Sequence, residues 1–245
     1  MEKKDLFSST AKEYAVFRPT YPKELYEFIY KHVAHFDMAW DCGTGNGQVA
    51  RDLSKRFNKI VATDISAKQI ENAYTSSNIS YLIAAEEIDF PEKNFDLITV
   101  AQAIHWFDRE KFYTEVKRVG KHEARLAVWG YGLLSINKDI DPVLQNFYKN
   151  NIGLYWDNER KLIDEHYDTI SFPFEEIHVP EFKLSFEWTL DELGGYLSTW
   201  SSVQKFYTIH KINPVEGFIE KIRPSWNSDR MTITFPLFLR LGKVH

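Results

Sequence analysis

The residues with most chemical content are Asp41, Gly43, Gly45 and Gly47, followed seventeen positions later by Asp64. They lie in the run Trp40-Asp41-Cys42-Gly43-Thr44-Gly45-Asn46-Gly47-Gln48 and at the end of the next apolar segment. Glycines allow positive φ and let backbone approach a ligand closely. A carboxylate at Asp64 can accept two hydrogen bonds from a ribose diol, and charge-assisted bonds of this type contribute roughly 1.5–3 kcal/mol each. A dinucleotide fingerprint G-x-G-x-x-G would need its third glycine at Gln48. Asp41, two residues before the first glycine, suits a cationic ligand and suits a pyrophosphate poorly. His105 is a second candidate. An ordinary imidazole, with a pKa of about 6.5, can take a proton near neutrality, position a substrate, or serve as a structural group bonded to backbone. Tyr14 and Arg18 stand at i and i+4, so one helical face can present both to one ligand.

These residues need a scaffold, and the spacing of apolar residues supplies one. Phe7, Ala11, Tyr14, Ala15 and Arg18 mark one face of a helix that Pro19 ends. A second helix starts at Pro22 and carries Leu25, Phe28, Ile29 and His32 on one side. Strands are expected over 37–42, 59–63, 79–84, 95–101 and 125–129. Helices between them carry Val49 to Phe57, run from a Ser66/Gln69 capping box to about Tyr74, and run from Asp108 through Val119. Such alternation argues for a parallel sheet covered on both faces. Ligands of open α/β sheets bind beyond the carboxyl ends of the strands, where the glycine run falls. After Gly130 the rhythm changes. The expectation is a helix over 142–156, a long strand over 175–188 with a bulge or edge at Pro180, a helix over 190–207 and a last strand over 231–244.

Composition narrows the class. The chain has 245 residues, with 44% hydrophobic and 27% charged, as in ordinary globular proteins. One cysteine excludes a disulfide framework and a Cys-rich zinc module, and no HExxH or other metal-ligand spacing occurs, so no metal is expected. A net charge of −5 argues against a broad nucleic-acid surface. No apolar run is long enough for a membrane helix and no leader-like segment follows Met1, so a cytoplasmic protein is expected. Aromatic residues reach 16%, enough to fill a core and still line an apolar pocket.

The pattern D-x-G-x-G-x-G followed by a ribose-binding acid resembles class I S-adenosylmethionine-dependent methyltransferases. The stretch Phe95-Asp96-Leu97-Ile98-Thr99-Val100-Ala101-Gln102-Ala103-Ile104-His105-Trp106-Phe107-Asp108 resembles the "FDLVT…A…HWFD" segment of the trans-aconitate-type, methyltransferase type 11 small-molecule subgroup. Phe7, Ala11, Tyr14, Arg18, Pro19, Tyr21 and Pro22 match its N-terminal pattern, and Thr199-Trp200-Ser201 its "TWS" segment. The resemblance implies a Rossmann-like α/β fold with a seven-stranded mixed sheet, helices on both faces and an antiparallel last strand. It implies one domain over 1–245, with a cofactor core at about 36–130 and additions at about 7–35 and 131–230. S-adenosyl-L-methionine would be the cofactor. Tyr14 and Arg18 would close over its methionine moiety, Asp41 would hold its amino group, and Gly43, Thr44 and Gly45 would give close contacts. Asp64 and Ile65 would lie at the ribose, Ala85 and Glu86 along the adenine, and Gln102 on the sulfonium side. His105 would be a base or positioning group. Trp106, Tyr131 and Trp200 would meet the acceptor, with Tyr155, Trp156 and Trp188 as further aromatic candidates. The acceptor would be a small molecule methylated on oxygen, nitrogen or carbon, a small carboxylic acid among the candidates. A non-catalytic cofactor-binding protein and an NAD-dependent oxidoreductase are the alternatives.

Overall fold

The computed structural model describes residues 19–245. The helix expected over 7–18, with Tyr14 and Arg18, lies outside the described residues. From there the chain runs α1 (Lys23–Lys31), β1 (Met38–Cys42), α2 (Gln48–Leu53), β2 (Lys59–Asp64), α3 (Ala67–Glu71), β3 (Ile79–Ile83), β4 (Phe95–Ala101), α4 (Arg109–Val119) and β5 (Gly120–Tyr131). It continues through α5 (Asp141–Asn146), α6 (Arg160–Asp164), β6 (Glu175–Ile177), β7 (Phe182–Trp188), α7 (Leu190–Ser198), α8 (Ser201–His210), α9 (Pro214–Ile222) and β8 (Met231–Lys243).

The strands form one mixed sheet in the order β3-β2-β1-β4-β5-β8-β6, with β7 also pairing β8. The first five are parallel and β8 runs antiparallel to β5, as expected. Eight strands occupy seven lateral positions, because β6 and β7 share the outer edge of β8. Ile177 pairs Leu241 and Phe182 pairs Leu237, so four residues on the edge oppose three on β8. That extra residue is a bulge. Pro180 lies within it, and proline cannot donate to the ladder. The single strand expected over 175–188 is therefore two.

Alternation along β5 explains why both faces are covered. Leu126 and Val128 join Trp40, Ile98 and Phe112 on one face, while Ala127, Trp129 and Tyr131 join Leu97, Leu25 and Phe235 on the other. The α4 helix begins where Asp108 accepts from the Lys111 N–H at 3.3 Å, and it buries Phe112, Val116 and Val119. At α3 the Ser66 hydroxyl accepts from the Gln69 N–H, but the helix ends at Glu71 rather than near Tyr74.

The helix expected over 190–207 is also two elements. A reciprocal capping box of Thr189 and Glu192 starts α7. The Tyr196 carbonyl then accepts both the Thr199 hydroxyl at 2.7 Å and the Thr199 N–H at 3.0 Å, so the ladder tightens and takes no bond from the next turn. Trp200 turns extended at φ −66° and ψ 134° and restarts the chain as α8. The segment 142–156 likewise breaks into α5, a wide turn over Phe147–Asn151 and a tight turn over Gly153–Tyr155. Trp200 and Trp156 both emerge at such breaks.

Candidate active site

The strand order reverses between the parallel β1 and β4, which leaves a crevice at their carboxyl ends. A cavity of about 190 Å³ opens there. The loop after β1 holds Gly43, Gly45 and Gly47 at φ +72°, +56° and +79°. The Gly43 and Thr44 N–H groups donate to the Thr63 carbonyl at 2.8 and 2.9 Å, tying the loop to β2. A Cβ at Gly43 would stand 2.6 Å from the Ala103 Cβ, so glycine is required for both conformation and space. At Gly45 a Cβ would meet no atom of the described residues within 4 Å, so this part of the loop faces the cavity without a described neighbour.

Asp64 at the end of β2 has both oxygens fixed by backbone. Oδ2 accepts from the Gly45 N–H at 2.8 Å and Oδ1 from the Ser66 N–H at 2.9 Å. The carboxylate thus shapes the glycine loop as well as lining the cavity. A carboxylate oxygen can accept more than one hydrogen bond, so a backbone partner and a ligand hydroxyl are compatible in kind. Asp41 is buried, accepting from the Thr99 hydroxyl at 2.8 Å and from the Thr44 hydroxyl. Burial pushes its carboxyl up to about 6, against the pull of the two hydroxyls. Thr44, Ile65, Ala85 and Glu86 also line the cavity. Glu86 is anchored by the Asp108 N–H at 3.1 Å.

The lining holds three carboxylates, Asp41, Asp64 and Glu86, and no Lys or Arg among the described residues. Gln69, also in the lining, does not return its side chain to close the expected capping box with Ser66, whose N–H goes to Asp64; its buried Oε1 has no hydrogen-bond partner among the described residues. Tyr21 and Phe107 also line the cavity. Both fall in stretches that carry the family resemblance, although neither is assigned a role there.

Gln102 occupies its expected place at the end of β4, in left-handed backbone at φ +54°. Its amide is already engaged, however. Oε1 accepts from the Tyr131 N–H at 3.2 Å and Nε2 donates to the Tyr131 carbonyl at 3.3 Å. It therefore fixes the end of β5 and offers the cavity mainly its apolar stem. Trp106 and Tyr131 line this cavity and also a second one of about 50 Å³ that adjoins it.

The second cavity brings together His105, Trp156, Arg160, Tyr196 and Trp200. His105 lies here, not in the first cavity. It is buried, and its Nδ1 is 2.8 Å from the Tyr167 hydroxyl. His166 and Tyr167 both have left-handed backbone, at φ +52° and +62°, which turns the tyrosine inward. Trp200 stacks among Phe147, Tyr148, Trp156 and Tyr196. Two of the aromatic candidates lie elsewhere. Trp188 packs on Phe235 and Tyr196, and Tyr155 pairs with His210 at 2.6 Å. Arg160 had no motif to mark it; it arrives through the fold of the segment after residue 131.

Similarities with known proteins agree with this architecture. Residues 40–128 match the family described as a methyltransferase domain. A methyltransferase-named protein of Dictyostelium discoideum is 37% identical over 98% of this chain and 95% of its own length. A solved structure from Anaeromyxobacter dehalogenans, described as a type II methyltransferase, superposes with a TM-score of 0.86 at 30% identity, covering 93% of this chain and 98% of that one. The YcgJ protein of Bacillus subtilis shares the fold, with a TM-score of 0.53 at 17% identity over 89% of this chain and 97% of its own. With a relative of such identity along nearly its whole length and the crevice placed at the β1/β4 reversal, the chain belongs to the methyltransferase family and has its class I, Rossmann-like fold.

Proposed function

We propose that this chain transfers a methyl group from S-adenosyl-L-methionine to a small-molecule acceptor. The observation that carries the reading is the charge of the main cavity: three carboxylates and no Lys or Arg among the described lining residues. A pyrophosphate would meet repulsion there, whereas a ligand with a sulfonium and an ammonium meets compensation. Among the described residues nothing crowds Gly45 and nothing pairs with Gln69 Oε1, which fits a ligand with hydrogen-bond donors close to backbone.

When bound, S-adenosylmethionine supplies a methyl group activated by the sulfonium. The protein's own residues bind and align. Asp64 accepts from the ribose hydroxyls, Asp41 compensates the amino group through its buried charge, and Ile65, Ala85 and Glu86 flank the adenine. Tyr14 and Arg18 would cover the methionine moiety from outside the described residues. Trp106 and Tyr131, common to both cavities, hold the acceptor against the methyl group and exclude water. Orientation of this kind can lower a barrier by about 7–11 kcal/mol, which explains a site without a catalytic triad. His105 and Trp200 act on the acceptor side. His105 takes the acceptor's proton or positions it. A net charge of −5 favours a small acceptor over nucleic acid.

Calorimetric titration with S-adenosylmethionine, S-adenosylhomocysteine and NAD tests the reading. Saturable binding of the two sulfur ligands and not NAD is expected. Binding of NAD alone would make the chain an oxidoreductase. Cofactor binding with no turnover across an acceptor screen that starts from small carboxylic acids would favour a non-catalytic binder.

A further inference from the structure

Arg160 is the only Lys or Arg side chain lining the second cavity among the described residues. Its guanidinium carbon lies 4.8 Å from the Trp156 ring centroid and 5.4 Å from that of Tyr148. Nε donates to the Tyr148 hydroxyl at 2.7 Å and stands 3.5 Å from Asp164 Oδ1. The Tyr148 hydroxyl in turn donates to that same carboxylate oxygen at 2.7 Å. One edge of the guanidinium is thus clamped by an aromatic wall and a tyrosine. The other edge, with Nη1 and Nη2, has no hydrogen-bond partner among the described residues. The side chain is 18% exposed, so most of it is shielded from water while this edge is not satisfied by the described residues. The cavity's carboxylate, Asp157, has its Oδ1 held by Lys205 at 2.6 Å and its Oδ2 buried with no partner among the described residues, so neither oxygen pairs with Arg160.

A rigid, half-desolvated fork with two unused donors matches the planar geometry of a carboxylate. Carboxylate oxygens held by a guanidinium have their charge compensated and lone pairs engaged, which makes them poor nucleophiles. The reacting atom must instead lie where the two cavities meet, at Trp106 and Tyr131. We propose that Arg160 anchors a carboxylate of the acceptor that is not itself methylated, so that the acceptor is a small acid bearing a separate nucleophilic atom. The aromatic walls of Trp156, Tyr196 and Trp200 favour an unsaturated or aromatic body between handle and nucleophile. This inference rests on the methyl-transfer reading.

The test uses the chain saturated with S-adenosylhomocysteine and titrated with phenylacetate and with phenylacetamide, which differ mainly in charge. The acid is expected to bind at least tenfold more tightly than the amide. Arg160→Gln should abolish that preference and Arg160→Lys should keep part of it, with S-adenosylhomocysteine affinity equal in all three proteins as the check on folding. Phenylacetate has no other nucleophile, so incubation with S-adenosylmethionine should yield no methyl ester. Equal binding of acid and amide, a preference that survives Arg160→Gln, or formation of the ester would each overturn the proposal. Failure of S-adenosylhomocysteine to bind the unaltered chain would sink the methyl-transfer reading instead, and the two failures are distinguishable.

Discussion

The two adjoining cavities are built in different ways. The larger one is made of backbone: a glycine loop in left-handed conformation, strand ends, and carboxylates held by neighbouring N–H groups. The smaller one is made of side chains from the segment after β4, from the end of β5, from Trp156 and from α6, α7 and α8, with rings such as Trp156 and Trp200 meeting across a long sequence separation. The first is therefore sensitive to single atoms near the chain, and the second to the packing of whole rings. Substitutions should separate the two. Damage on the acceptor side should show as lost stability with cofactor affinity intact, and damage at the glycine loop or its acids should show as lost affinity.

The largest effect is expected at Trp200. Its indole contacts four rings and is 4% exposed, so Trp200→Ala should cost about 3–5 kcal/mol in chemical denaturation. S-adenosylhomocysteine affinity should stay within about twofold. A matching fall in affinity would mean that the cavities are energetically one.

At the loop, Gly43→Ala combines a left-handed φ with a Cβ 2.6 Å from Ala103, and a loss of about 1–3 kcal/mol in thermal or denaturant unfolding is expected. Unlike Trp200→Ala, it should also weaken S-adenosylhomocysteine. A variant that binds normally would show that the loop's exact path does not matter to the ligand.

Asp41 adds a pH dependence. Its carboxyl is raised from 3.8 to about 6 by burial, so the folded chain binds more protons than the unfolded chain between those values. Stability contributed by this group is therefore highest in acid and falls as pH rises to about 6, by roughly 3 kcal/mol at about 1.4 kcal/mol per unit. A cationic ligand reverses the preference. Affinity for S-adenosylmethionine should weaken as pH drops through about 6, and Asp41→Asn should flatten that profile while raising the stability of the ligand-free chain. A flat profile in the unaltered chain would remove Asp41 from the compensation of the ligand's charge.

Asp64→Ala should weaken S-adenosylhomocysteine roughly tenfold or more, by losing the ribose acceptor and releasing the Gly45 N–H. Unchanged affinity in a folded variant would leave Asp64 only its part in shaping the loop. The smallest effect is expected at Tyr167. Tyr167→Phe removes the 2.8 Å partner of His105 Nδ1, at a cost of about 1 kcal/mol. A shift in the pH dependence of turnover beyond that loss would identify His105 as the proton acceptor, and an unshifted profile would assign it to positioning.

What could be read from the sequence alone follows from what is local. The order of strands and helices through β5 and the position of the cavity rest on hydrophobic period and on Gly43, Gly45, Gly47 and Asp64, whose effects act within a few residues, whereas the antiparallel direction of the last strand came from the family resemblance. The break at Pro180 was legible as a bulge for the same reason, because a missing N–H is a property of the residue itself. The tertiary structure decided the rest. It placed His105 against Tyr167 rather than in the main cavity, spent the Gln102 amide on β5, and split the helix expected over 190–207 at Trp200. It also brought Arg160 between Trp156 and Tyr148 beside Trp200. Each of these depends on a partner that is distant along the chain. No local propensity specifies such a pairing; it follows only when the elements pack and each ring or polar group meets the neighbour that satisfies it.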